Sequence, residues 1–170
     1  MFKKTTLLAL FTLILLTGSS KEKKAYSKDK EIWANSFIDK KAPEFIVDKW
    51  LSEEPILENK FILIDFWATW CGPCRKVIPE LNSFHKEFKD KLIVIGISSE
   101  PEEIIKQFNN PGIEYYSAID PQKRMSKSLG IRGIPHCILI NPDGIVIWEG
   151  FPLLNEHELT AQVLRELIYK

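Results

Sequence analysis

The chain has 170 residues, 45% of them apolar, with 23 lysines and arginines balanced by 23 aspartates and glutamates. That is material for one well-buried domain plus a short extra segment. With no basic surplus to neutralise a phosphate backbone, nucleic acid is excluded as a partner.

The opening stretch, MFKKTTLLALFTLILLTGSS, places Lys3 and Lys4 ahead of an apolar run from Leu7 to Leu16, broken by Thr12, and closes on Gly18, Ser19 and Ser20. This is the layout of a secretory signal, and the run falls short of the ~20 residues that a membrane span needs. Residues 1–20 are read as a signal peptide or N-terminal anchor, so export is expected, with membrane contact only through that segment if it stays uncut. Ser19 stands where a bacterial lipoprotein would carry its lipid-bearing cysteine, and no lipid anchor is expected. Residues 21–40, opening on KEKKAYSKDKE, form a polar lead-in, from which Ile32, Trp33, Phe37 and Ile38 can pack on the domain expected at 41–170.

FILIDFW (Phe61 to Trp67) and LIVIGIS (Leu92 to Ser98) are dense apolar runs of buried-strand length. Between them Val77, Leu81, Phe84 and Phe88 recur at helical spacing and predict a helix from Cys74 to Phe88. Pro73 suits its first turn, whereas Pro79 removes the bond to the Arg75 carbonyl and should kink it. Strand, helix, strand in this order implies a parallel crossover. EPEEIIKQF then predicts a helix, EYYSAI a strand, and Met125 to Leu129 a short helix ending at Gly130. HCILI and IVIWEG flank the turn NPDG and predict an antiparallel hairpin. Asn155 and Glu158 resemble a capping box opening a last helix, with an apolar stripe of Leu159, Val163, Leu164, Leu167 and Ile168. The sum is an α/β domain, a mixed sheet with helices on both faces.

Chemistry concentrates in Cys71 and Cys74, three positions apart, with Cys137 left over. An odd count with one close pair is unlike a disulfide-stapled scaffold. A zinc site would want a second ligand pair, and none is present at ligand spacing; soft-metal handling, such as copper on Cys71, Cys74 and His136, is the metal alternative. A static bridge across so short a loop would remove little unfolded-chain entropy. A working dithiol accounts for the surroundings. A cysteine at the mouth of a helix has its thiolate favoured by unpaired N–H groups and the positive dipole end, and the thiolate is the attacking species. Cys71, just ahead of the helix, is expected to be the more exposed nucleophile. Cys74, in the first turn, is expected to be buried and to resolve the mixed disulfide. Asp65, a carboxyl within an apolar strand, should have a raised pKa suited to proton transfer.

DFWATWCGPC resembles the active-site signature of thioredoxins, GIRGIP (Gly130 to Pro135) resembles their second signature, and Pro79 falls where their helix-kinking proline falls. The resemblance implies a thioredoxin fold, three layers of α/β/α around a mixed sheet, with a cis bond before Pro135 beside the dithiol. It further implies that Ile134 and Pro135 offer backbone to an extended client segment, that Trp70, Gly72 and Pro73 complete the contact surface, and that Asp65 is the buried acid serving the inner cysteine. The apparent helix–strand insertion from Glu102 to Ile119, the N-terminal extension opening the domain with KKAPEF, and the IDP and INPDG stretches look like the exported bacterial proteins of the TlpA/ResA-like type. Such proteins commonly reduce disulfides of client proteins in the periplasm or cell envelope, drawing electrons from a membrane-embedded thiol reductase, with no cofactor or metal beyond the Cys71–Cys74 pair. Some serve cytochrome c maturation; Val77 stands where certain of those carry a helical glutamate.

Two alternatives use the same residues differently. One is a redox-dependent binding or copper-delivery module. The other is a peroxiredoxin-like peroxidase, which needs a threonine three residues before its attacking cysteine, whereas Thr69 is two before Cys71. Among the remaining residues, Cys137 is read as a buried small hydrophobe. His136 is read as a partly exposed strand residue, His85 and His157 as solvated helix residues, and Trp33, Trp50 and Trp148 as covers for the core edges.

Overall fold

The computed structural model describes residues 32–170, so the expected signal at 1–20 and residues 21–31 of the lead-in lie outside the described residues. Its elements are β1 (Lys49–Trp50), β2 (Phe61–Trp67), α1 (Gly72–Glu87), β3 (Leu92–Ser98), α2 (Glu102–Gln107), β4 (Tyr116–Ile119), α3 (Arg124–Ser128), β5 (His136–Ile140), β6 (Val146–Gly150) and α4 (Ala161–Ile168). The strands form one sheet in the order β1-β4-β3-β2-β5-β6. β2, β3 and β4 run parallel, while β1, β5 and β6 pair antiparallel to their neighbours.

β2 and β3 lie at the centre and are covered on both faces, which is why they read as continuous apolar runs rather than alternating ones. Each still sorts its side chains by parity. Leu63 and Trp67 join the cluster that includes Cys74, Val77, Leu81 and Phe84 of α1, together with Leu164 and Ile168 of α4. Ile64 and Phe66 join the opposite cluster with Met125 and Leu129 of the α3 region. Phe37, Ile38, Ala42, Phe45 and Val47 complete that second layer, which is one short helix and an extended chain.

The end of the lead-in is attached in detail. Ile38 bridges Val146, Phe37 N–H donates to Glu149 at 2.9 Å, and the Trp33 carbonyl accepts from Arg132 N–H at 2.7 Å. Ile32 is buried and Trp33 packs edge-on against Phe151, so this part of the lead-in does lie on the domain.

Two helix starts and one short strand that was not expected stand out against the sequence reading. α1 begins two residues earlier than Cys74, because Cys71 itself serves as its N-cap. α4 begins at Ala161, capped by the Thr160 hydroxyl on Val163 N–H, and Asn155 and Glu158 do not open it. β1 has only two residues, too few to show a period, and exists because the flanking Asp48 and Leu51 N–H groups reach the Ile119 and Ser117 carbonyls. No helix among the described residues is long and apolar enough to cross a membrane.

Candidate active site

β2 ends at Trp67, and the chain turns through Ala68, Thr69 and Trp70 into the helix. That turn is held from outside: Glu100, just past β3, accepts from Thr69 N–H at 2.6 Å and from its hydroxyl at 2.8 Å. Cys71 is then the N-cap of α1 and Pro73 lies in its first turn, where a missing N–H costs nothing. Cys71 and Cys74 form a disulfide, and Cys74 N–H donates to Cys71 Sγ at 3.2 Å. An anionic sulfur at Cys71 would therefore meet a backbone donor and the positive end of a 16-residue helix. Pro79 sits inside α1, as expected.

Burial departs from the expected contrast. Cys74 has no exposed surface, but Cys71 keeps only 4%, because in the disulfide its sulfur is turned to Cys74. Exposure at the site instead belongs to Trp70, at 73%, and to Pro73.

The peptide bond between Ile134 and Pro135 is cis. Phe66 pairs with His136 across β2 and β5, so Pro135 falls one step further on, level with Trp67 at the end of β2 where the dithiol turn begins. Ile134 packs against the cluster that holds both cysteines. Trp70 and Ile134 share a cleft of about 400 Å³, with Lys123 and Arg132 among its lining residues. Cys71, Cys74, Trp70, Gly72, Pro73, Ile134 and Pro135 are thus gathered at one end of the sheet.

Asp65 lies between Leu63 and Trp67 on the α1 face and is fully buried. Burial pushes its carboxyl up to about 7, against the opposing pull of hydrogen bonds from Cys137 and Tyr115. Cys137 is buried too, and its Sγ donates to Asp65 Oδ1 at 3.5 Å, so it is more than a small hydrophobe.

His136 does not join this cluster. It alternates with Cys137 along β5 and faces the opposite side of the sheet, beside Phe151 and in a backbone hydrogen bond with Ile32. It is 1% exposed rather than partly exposed, and burial lowers its pKa to about 4. The trio Cys71, Cys74 and His136 is accordingly not assembled. Among the described residues no group of three or more histidines, cysteines and acids is arranged to hold a metal ion.

His157 lies outside any helix, stacked on Trp148 with ring centroids 4.9 Å apart, its Nε2 2.9 Å from the Glu149 carbonyl. His85 is on α1 but only half-exposed, edge-on to Tyr116. Of the tryptophans, Trp148 is buried, Trp50 stacks on Phe45, and Trp33 lies at the surface over Gly133.

Glu100, Tyr115 and Gly96 escaped the sequence reading. Gly96 had a signal: a lone glycine inside an apolar strand marks a close approach of some other group. Tyr115 and Glu100 had none, since their partners are distant in sequence.

Comparison with known proteins agrees with this geometry. Residues 38–149 match the AhpC/TSA family. A thiol-disulfide oxidoreductase ResA of Bacillus thuringiensis (strain Al Hakam) is 32% identical over 117 residues, covering 65% of this chain and 67% of the relative. A ResA of Bacillus cereus (strain ATCC 10987 / NRS 248) is 28% identical with 100% of this chain and 98% of the relative aligned. The solved thioredoxin domain of a thiol-disulfide oxidoreductase from Bacteroides vulgatus superposes with a TM-score of 0.64 at 25% identity, over 77% of this chain and 97% of that one. With the match running from the first bridge to the sheet through to its last strand, the chain belongs to the AhpC/TSA family, as a thiol–disulfide oxidoreductase on the thioredoxin fold.

Proposed function

We propose that this oxidoreductase works mainly as a reductase of protein disulfides in the cell envelope, with Cys71 as nucleophile and Cys74 as resolver. The observation that carries the reading is the Cys74 N–H aimed at Cys71 Sγ at the mouth of α1, at the same end of the sheet as the cis bond before Pro135. In the reduced protein, the Cys71 thiolate attacks one sulfur of a client disulfide. The client's S–S bond breaks, its other sulfur leaves as a thiolate and takes a proton from water, and Cys71 is left in a mixed disulfide. Cys74 then gives its thiol proton to the Asp65 carboxylate, which shares its face of the sheet, and attacks Cys71 Sγ. The Cys71–client bond breaks, the second client sulfur departs and is protonated, and the Cys71–Cys74 disulfide closes. Two electrons have passed from the dithiol to the client.

Trp70, Gly72, Pro73, Ile134 and Pro135 form the contact surface for an extended client segment in this reading. The Gly-Pro pair between the cysteines supports net reduction, and the signal-like opening supports an envelope location. A membrane-embedded thiol reductase would return the electrons, and no cofactor besides the dithiol is required. Val77 is buried in α1 and supplies no carboxyl at that position, which favours general client reduction over a dedicated role in cytochrome c maturation. The Thr69 hydroxyl is engaged by Glu100, which weakens the peroxidase alternative.

The test is insulin reduction with a dithiol donor. Cys71→Ser should abolish turnover, and Cys74→Ser should stall as a mixed disulfide that can be isolated from cells with its client attached. Full activity in Cys71→Ser would refute the assignment.

A further inference from the structure

Three residues lie side by side across the middle of the sheet on the α1 face. Asp65 pairs with Gly96 of β3 on one side and with Cys137 of β5 on the other. Directly paired residues project to the same face, so the buried carboxyl has a bare backbone on one flank and a thiol on the other. The ring of Tyr115 occupies the bare flank: a β-carbon on Gly96 would lie 2.9 Å from Tyr115 Cε2 and 3.1 Å from Trp67 Nε1. From there the Tyr115 hydroxyl donates to Asp65 Oδ2 at 3.4 Å, while Cys137 Sγ donates to Oδ1 at 3.5 Å.

Tyr115 is itself braced by the catalytic helix. Asn82 of α1 donates through Nδ2 to the Gly112 carbonyl at 2.9 Å and accepts the Glu114 N–H on Oδ1 at 2.9 Å. Lys86 of the same helix pairs with Glu114. The segment leading into β4 is therefore clipped to α1 immediately before the residue that reaches Asp65.

We propose that Tyr115 and Cys137 are positioning residues that grip the Asp65 carboxyl, one on each oxygen, and that Gly96 is the gap through which the Tyr115 ring reaches it. Both donors keep their protons at neutral pH, since burial and the adjacent Asp65 carboxylate hold each well above its usual range. The groups that contact the Asp65 carboxyl are Tyr115 ahead of β4 and Cys137 from β5, and Cys74 of α1 lies in the core cluster on the same face of the sheet; among the described residues no lysine, arginine or histidine is paired with it. The two hydrogen bonds favour the ionised carboxylate against the desolvation that opposes it. Their consequence for catalysis rests on the proposed role of Asp65 as proton acceptor for Cys74. Through that role they would set the lower pH limit of the resolving step.

The experiment follows the Asp65 carboxyl itself, by carbon-13 NMR across pH in the oxidised full-length protein, alongside the pH profile of mixed-disulfide resolution. Tyr115→Phe, which keeps the ring, should move the Asp65 midpoint upward by roughly half to one pH unit, about a three- to tenfold change in its acid constant. Cys137→Ala should act likewise, and Cys137→Ser, which retains a donor, should stay nearer the parent. Gly96→Ala keeps the phenol but denies the ring its place, and should move the midpoint in the same direction. The acid limb of the resolution profile should follow each shift. An unchanged Asp65 midpoint in Tyr115→Phe and Gly96→Ala overturns the assignment. A shifted midpoint, with Asp65→Asn resolving at the parent rate and pH profile, upholds the grip and overturns the proton-transfer role instead.

Discussion

Asp65 and His136 stand one register step apart on the adjacent strands β2 and β5, face opposite sides of the sheet, and have their ionisation pushed by burial in opposite senses. Asp65 is raised to about 7, so the folded state holds a proton there that the unfolded chain releases near its ordinary value, and stability from this group falls as pH rises from about 4 to 7. His136 is lowered to about 4, so the unfolded chain takes up a proton that the folded state refuses, and stability from this group falls as pH drops from about 6.5 to 4. Over the shared window the two slopes nearly cancel. In Asp65→Asn the cancellation is gone: the variant should gain stability over the parent by about 1.4 kcal/mol per pH unit between roughly pH 4 and 7, levelling off above. Denaturant midpoints across pH check it, and a pH-independent difference would refute it.

The Trp33 ring and Gly133 make a second coupled pair. A β-carbon on Gly133 would lie 2.7 Å from Trp33 Cε3 and 3.4 Å from Phe151. Trp33 is 49% exposed and can swing outward, so Gly133→Ala should displace the ring rather than the loop carrying the cis bond. The expected cost is about 1 kcal/mol in the parent and close to nothing in a Trp33→Ala background, a non-additivity that a double-mutant cycle measures.

Glu100 holds the turn that precedes Cys71. Glu100→Ala leaves the Thr69 N–H and hydroxyl without their carboxylate, and should cost about 2 kcal/mol in urea unfolding, the worth of hydrogen bonds to a charged group. If Cys71 is the nucleophile as proposed, loosening this turn should also slow attack on a small disulfide, because its sulfur is placed by the same few residues. Glu100→Gln, which keeps an acceptor, should lose less on both measures.

The cleft beside Trp70 and Ile134 is cationic at its lining. Lys123 and Arg132 are exposed there, while Asp120 is buried and engaged by Arg124 Nε and Met125 N–H, both at 2.9 Å. Lys123→Glu combined with Arg132→Glu should lower kcat/KM for a peptide disulfide flanked by acidic residues by roughly tenfold, and should leave a neutral small disulfide unaffected. Raising the salt concentration should shrink the difference.

Much of this was legible along the chain. The dithiol turn, Pro79 and the hairpin around NPDG are local patterns, each set by residues a few positions apart, and the structure places them as read. Asp65 was legible as well, because a lone acid in an apolar run leaves few ways to account for it. The capping box at Asn155 misled, since a matching pair of residue types cannot say where a helix packs against the sheet; Leu159 is buried ahead of Ala161, and the helix begins only after it.

The chemistry of the site, two sulfurs at the mouth of a helix with a buried acid on the strand before it, was determined by the sequence alone, because neighbours along the chain remain neighbours in space. Whatever depends on pairing between distant strands was decided by the tertiary structure: that Cys137 faces Asp65 while His136 turns away, and that Gly96 stands aside for Tyr115. Strand residues alternate between two faces, so one step of register sends a side chain to the site or to the opposite core, and register is settled only when the strands meet.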